Sequence, residues 1–138
     1  MTGGILLDTC AVIWSAVVDA LNAEAESALQ AAYDSGEPIW ISPFSAWEVG
    51  MLVSKGRLAL TLPPERWFQT VISKPGVRLA PVEPDMLIRS SHLPGTPSSD
   101  PADSIIIATA RELGATVMTR DRRILDYGTQ GHVAVMAC

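Results

Sequence analysis

The chain has 138 residues, 48% hydrophobic and 18% charged, a balance that fits a single globular domain over residues 1–138 and excludes a disordered chain. No apolar run approaches the roughly 18 to 20 residues of a membrane-crossing helix, and residues 1–4 carry no basic segment of the kind that opens a secretory leader, so no membrane association and a cytoplasmic location are expected. A net charge of −5 argues against simple phosphate binding, yet if four of the 15 acids belong to a metal site, 11 remain against 10 Lys and Arg and a nucleic-acid partner is no longer excluded.

Gly4-Ile5-Leu6-Leu7 is a short apolar run that stops at Asp8, the pattern of a strand buried on both faces. Ala- and Leu-rich stretches at about 11–14 and 20–33 predict helices, with Leu21, Ala25, Ala28, Leu29 and Ala32 at helical spacing. Pro38-Ile39-Trp40-Ile41 predicts a second strand. Ser42-Pro43 then opens a helix carrying Phe44, Trp47, Met51 and Leu52 on one face and ending near Gly56. Pro63-Pro64 starts a helix with Trp67, Phe68, Val71 and Ile72, closed by Lys74-Pro75-Gly76. A third strand is expected over 77–82, a short helix over 84–92, and a Pro/Gly/Ser/Thr loop over 93–99 that is the expected flexible segment. Pro101 begins a strongly apolar helix that Gly114 terminates. A strand over 115–119, a helical turn over 121–126 and a last strand over 132–136 complete the chain. Strands alternating with helices across short turns predict a three-layer α/β/α sandwich around a mostly parallel sheet.

Four acids stand at informative places. Asp8 and Asp121 each follow a strand directly, where a carboxylate serves equally as a helix N-cap or as part of a ligand site, because parallel sheets bind ligands outside their strand carboxyl ends. Flanked by Arg120, Arg122 and Arg123, Asp121 also suits an exposed ion pair. Glu48 is surrounded by Trp47, Val49, Met51 and Leu52 with no Lys or Arg four residues on, an uncomfortable setting for a solvated glutamate. Asp100-Pro101-Ala102-Asp103 reads as a helix start, with Asp100 as cap and Asp103 easing the helix dipole, but one cap does not need two aspartates.

Together these acids fall on one edge of one sheet. Like charges that close raise one another's pKa, so the cluster calls for a bound cation. An all-oxygen donor set favours Mg²⁺ or Mn²⁺ over Zn²⁺, and such an ion suits phosphodiester hydrolysis. No Gly-rich phosphate loop, nucleophile elbow or Cys–His pair competes. His92 and His132 read as loop and strand-edge residues. Cys10 is expected as a small core residue and Cys138 as an incidental terminal thiol.

Leu6-Leu7-Asp8-Thr9, Pro43-Phe44-Ser45-Ala46-Trp47-Glu48-Val49, Asp100-Pro101-Ala102-Asp103 leading into Ile106-Ile107-Ala108-Thr109-Ala110, and Thr119-Arg120-Asp121 resemble the ordered motifs of PIN-domain ribonucleases, in particular the VapC-like toxins of toxin-antitoxin pairs. The resemblance spans nearly the whole chain. It implies that Asp8, Glu48, Asp103 and Asp121 are the catalytic and metal-binding acids, with Thr9 and Thr119 as supporting hydroxyls and Asp100 behind them. It also implies an RNA substrate such as tRNA, a cognate VapB-type antitoxin that occludes the site, and a homodimer. Ser104 departs from the arginine that many relatives carry after the third acid, and Cys10 from their Ser or Asn after the Asp-Thr pair.

Trp14, Trp47, Trp67 and Phe68 divide between core and partner surfaces, with at least two expected in the core. Lys55, Arg57 and Arg120 to Arg123 are either RNA-contacting or solvated surface charge. Two rival readings are a receiver-like phosphoacceptor, suggested by Lys74-Pro75 but lacking an adjacent acid pair on the first strand, and a catalytically inactive PIN module that only binds a partner.

Overall fold

The computed structural model describes residues 3–17 and 20–138; Met1 and Thr2, part of the segment read for a leader, lie outside the described residues. The elements run β1 (Ile5–Leu7), α1 (Thr9–Ser15), α2 (Ala23–Ser35), β2 (Ile39–Ile41), α3 (Pro43–Ser54), α4 (Pro64–Ile72), β3 (Val77–Leu79), α5 (Pro84–Ser90), α6 (Pro101–Leu113), β4 (Thr116–Thr119), α7 (Arg122–Gly128) and β5 (Val135–Ala137). The five strands form one parallel sheet in the order β3-β2-β1-β4-β5. β1 is central, with Leu7 level with both Ile41 and Met118. The expected α/β/α sandwich is therefore present, and all five strands end on the same edge.

The central strands β1 and β2 are apolar and buried throughout because successive side chains enter different cores. Ile5 and Leu7, Ile39 and Ile41, and Met118 point to a cluster with Val12 of α1, Ala25 and Ala32 of α2, and Phe68 and Val71 of α4. Leu6, Trp40 and Val117 point the other way, onto Ile106, Ile107 and Ala110 of α6 and Ile124 and Tyr127 of α7. Each full burial of such a side chain is worth about 1.5–3 kcal/mol. The sheet is thus clamped between two helix layers, and its carboxyl edge is held rigidly.

Several boundaries differ from the sequence expectation. α1 begins at Thr9 because Asp8 caps it, and α2 begins only at Ala23, where the Asn22 side chain accepts the Ala25 N–H at 2.7 Å. β3 stops at Leu79: Ala80 N–H still donates to Ile41 O at 2.8 Å, but Pro81 has no N–H to continue the ladder. β5 starts three residues late, since Gly131 turns with φ 87° and the His132 carbonyl accepts from Arg111 at 2.6 Å before the chain joins the sheet.

The loop over 93–99 is pinned rather than free. Tyr127 Oη donates to Pro94 O at 2.6 Å, and the Gln130 side chain bonds the Thr96 N–H and hydroxyl at 2.9 and 2.8 Å. The cysteine expectation is reversed: Cys10 is exposed and Cys138 buried, because the carboxyl terminus tucks against β4, with Cys138 N–H donating to Thr119 O.

Candidate active site

Parallel strands deliver Asp8 and Asp121 to the same edge, and helix starts there fix both side chains. Asp8 follows β1 and N-caps α1, its Oδ1 accepting the Ala11 N–H at 2.8 Å. Its other oxygen accepts the Thr119 hydroxyl. That hydroxyl oxygen in turn accepts the Asp121 N–H at 2.9 Å, so Thr119 physically links the ends of β1 and β4. The capping and site readings of Asp8 are not alternatives: the cap occupies one oxygen and orients the other. Asp8 is only 5% exposed, and burial, joined by the charge of Asp121, pushes its carboxyl above the ordinary range.

α3 brings Glu48 to this edge from the side. Glu48 Oε1 accepts the Thr9 hydroxyl at 2.5 Å, and Thr9 Oγ1 lies 2.8 Å from the fully buried Ser45 Oγ. Partial burial raises the Glu48 carboxyl, with Asp100 and Asp8 adding repulsion against the relief from Thr9. The inward face of α3 is thus Ser45, Glu48 and Val49. The stripe Phe44 and Trp47 turns outward instead, with rings 5.2 Å apart and Trp47 57% exposed. Sequence reading picked out that aromatic face and missed Ser45, whose signal was its place one helical turn before Glu48.

α6 supplies the third acid. Asp100 caps it through the Ala102 N–H at 2.9 Å, while Asp103, one turn in, is 8% exposed and its Oδ2 is buried without a hydrogen bond. Burial, then the charges of Asp121 and Asp100, push the Asp103 carboxyl up to about 6, even with Ser98 and Arg123 nearby. Ser104, at the first departure from the family pattern, donates to Ser98 O at 3.4 Å and so braces the loop before α6. Cys10, at the second, has its thiol pushed up to about 11 by desolvation at the acid-lined edge and by the charges of Asp8, Asp121 and Glu48.

Asp121 is the exception among the four. Burial works to raise it, but the side-chain and backbone donors of Arg123 outweigh that and hold it below the ordinary carboxylate value. It N-caps α7 through the Arg123 N–H at 2.8 Å. The same guanidinium reaches Asp121 Oδ1 through Nε at 3.3 Å and Oδ2 through Nη2 at 3.1 Å. Arg120 is engaged elsewhere, lying over the Trp14 ring at 4.7 Å and donating to Ala20 O.

The structure brings the four acids to one edge within electrostatic reach of one another, in the pairs Asp8–Asp121, Asp8–Glu48 and Asp103–Asp121. It does not close them into one ion-sized cage: among the described residues no three acidic, histidine or cysteine side chains converge as ligands. Thr9 and Thr119 orient the carboxylates of Glu48 and Asp8, while Arg123 holds both oxygens of Asp121. The donor chemistry nonetheless fits a hard divalent cation. Three carboxylates carry raised pKa values and one buried carboxylate oxygen has no hydrogen-bond donor.

A family model for the PIN domain matches residues 5–129. The chain belongs to the PIN-domain family. Within it the chain is VapC-like: it is 31% identical over 124 residues to Ribonuclease VapC22 of Mycobacterium tuberculosis, covering 89% of this chain and 91% of that protein. The fold of this PIN domain also matches solved complexes. With VapBC of Salmonella typhimurium bound to DNA the TM-score is 0.65 at 18% identity over 98% of both chains. With VapBC2 of Rickettsia felis bound to a promoter DNA fragment it is 0.64 at 14% identity, over 97% of this chain and 98% of that one.

Family membership displaces the receiver-like reading, and the placement of Lys74-Pro75 agrees. That pair lies between α4 and β3, at the amino edge of the sheet, opposite the acids. Of the aromatics, Phe68 is buried and Trp67 packs on the core, whereas Trp14 and Trp47 are exposed. No helix among the described residues is long and apolar enough to cross a membrane.

Proposed function

We propose that this PIN domain is a Mg²⁺- or Mn²⁺-dependent endoribonuclease, the toxin of a toxin-antitoxin pair, with Asp8, Glu48, Asp103 and Asp121 as its metal-binding and catalytic acids. The observation that carries the reading is the meeting of these carboxylates at the carboxyl edge of one sheet, with Asp103 Oδ2 buried and without a hydrogen bond. Asp8, Glu48 and Asp103 come from three separate elements, lie at one sheet edge, and all have ionisation disfavoured by burial and mutual repulsion. Ionised acids in such a place are stabilised by a bound cation. When bound, a divalent ion supplies Lewis-acid activation of water and positive charge against the leaving oxygen of a phosphodiester.

The chain's own residues divide the remaining work. Thr119 and the Ala11 N–H fix the Asp8 carboxylate, Thr9 backed by Ser45 fixes Glu48, and the α6 start places Asp103 beside Asp121. A rigid donor set of this kind favours the geometry of reaction over that of the free ion. Asp100 caps α6 and adds negative potential at the rim. Arg57 and Lys55 at the end of α3, with Arg122 beside Asp121, are exposed and offset the acids for an approaching phosphate backbone.

The partner reading rests on an apolar surface next to the site. Pro43, Phe44, Trp47, Val82, Leu87 and Ile105 line a shallow groove of about 510 Å³, and Trp47 and Leu87 within it are exposed. Contiguous apolar surface of this sort marks protein interaction sites, consistent with a VapB-type antitoxin or with a second copy in a homodimer. The test is RNA cleavage by the purified protein with Mg²⁺ or Mn²⁺, with chelator, and with Asp8→Asn or Asp103→Asn; tRNA is the first substrate to try. Chelation and either substitution should each abolish cleavage.

A further inference from the structure

One arginine nitrogen sits among three carboxylates. Arg123 Nη2 lies 3.1 Å from Asp121 Oδ2, 3.3 Å from Asp103 Oδ2 and 3.5 Å from Asp100 Oδ2, while its Nε reaches the other Asp121 oxygen at 3.3 Å. A nitrogen with two hydrogens cannot bond all three acids well. Accordingly Asp103 Oδ2 has Arg123 beside it as a charge but no aligned hydrogen bond. The guanidinium is therefore acting as a shared positive charge, which is the role a metal ion plays in such a cluster. Its side chain is 56% exposed, so the contacts are weak and solvent-screened, and the side chain has an open path away from the acids.

The two halves of the site are held differently. Asp8 and Glu48 are oriented by the neutral hydroxyls of Thr119 and Thr9, which leave their charge uncompensated. Asp103 and Asp121 face a full positive charge. The other arginines do not share this role: Arg120 is stacked on Trp14, and among the described residues Arg122 makes no ion pair although it neighbours Arg123 in sequence.

Resting on the metal-site reading above, we infer that Arg123 is the resident counter-ion of this site, and that a divalent cation binds by displacing its guanidinium from Asp103 and Asp121. Arg123 then sets both the stability of the metal-free protein and the affinity for metal, in opposite directions. Removing it leaves the acids repelling one another in the free protein and removes a competitor from the bound one.

The experiment measures Mn²⁺ binding by calorimetry or electron paramagnetic resonance, and thermal unfolding in chelator, for the wild type, Arg123→Gln, Arg123→Lys and Arg122→Gln. Arg122→Gln removes the same charge one residue away and controls for the general field. Arg123→Gln should bind Mn²⁺ roughly 3- to 30-fold more tightly than Arg122→Gln, the range expected from losing a few screened contacts, and should melt lower in chelator. Arg123→Lys, which keeps the charge without the planar fork, should fall between wild type and Arg123→Gln. Equal Mn²⁺ affinity in Arg123→Gln and Arg122→Gln overturns the role of Arg123 alone. Absence of Mn²⁺ binding in the wild type and every variant overturns the metal-site reading and this inference with it.

Discussion

Asp103→Asn should make the metal-free protein more stable at neutral pH while destroying its activity. The Asp103 carboxyl is pushed up to about 6 from an ordinary value of 3.8, burial being the largest cause. A folded-state value above the unfolded one means that the native protein holds this proton more tightly. Its stabilising contribution is fully present below about pH 3.8 and is lost as pH rises through 6. Roughly two pH units at 1.36 kcal/mol each put the cost of the ionised form at up to about 3 kcal/mol by pH 7.5.

Asn keeps the shape and drops the charge, and the shift to about 6 is already net of the relief from Arg123, 3.3 Å away, while the Asn amide in turn lacks a partner in the buried position of Oδ2. The net gain is therefore about 1–3 kcal/mol, or roughly 3–12 °C in Tm for a chain of this size. Urea and thermal unfolding in chelator across pH 4 to 7.5 would show the variant level with wild type at pH 4 and pulling ahead between pH 4 and 6. A variant no more stable than wild type at pH 7.5 would refute the claim that burial and repulsion strain this carboxylate. Added Mg²⁺ should close the gap by stabilising only the wild type.

Thr119→Val removes the hydroxyl that donates to Asp8 and accepts the Asp121 N–H; urea unfolding should show a loss of about 1–3 kcal/mol, accompanied by lower cleavage. Gly4→Ala would place a Cβ 2.2 Å from the Pro38 carbonyl oxygen at φ +88°, so a loss of about 2 kcal/mol or more is expected in Tm-derived stability. Ile107→Ala opens a void in the fully buried contact between α6 and the sheet and should cost about 2–5 kcal/mol by denaturant titration.

The sheet and its helices were legible because both faces of every central strand are covered, which writes short apolar runs bounded by Pro, Gly and Asp. Gly36 and Gly114 mark helix ends by adopting left-handed conformations after α2 and α6. Asp8, Glu48, Asp103 and Asp121 were legible as candidates through their positions relative to strand ends and apolar neighbours. What composition could not give is how they are held. Ser45 is an ordinary serine until α3 is oriented with its aromatic stripe outward, and Arg123 looks the same in sequence as Arg120 and Arg122. Only the α7 cap at Asp121 turns Arg123 back over the acids, while Arg120 leaves toward Trp14. The cysteine reversal has a similar origin, since exposure at Cys10 depends on which face of α1 meets the sheet.

The most direct test of the account is the rate of RNA cleavage with Mg²⁺ for the wild type, Asp8→Asn and Asp103→Asn, each checked for native folding and repeated in chelator. The expected result is metal-dependent cleavage by the wild type and a loss of roughly 100-fold or more in each variant. Undiminished cleavage by a folded Asp8→Asn protein, or equal cleavage in chelator, would contradict it.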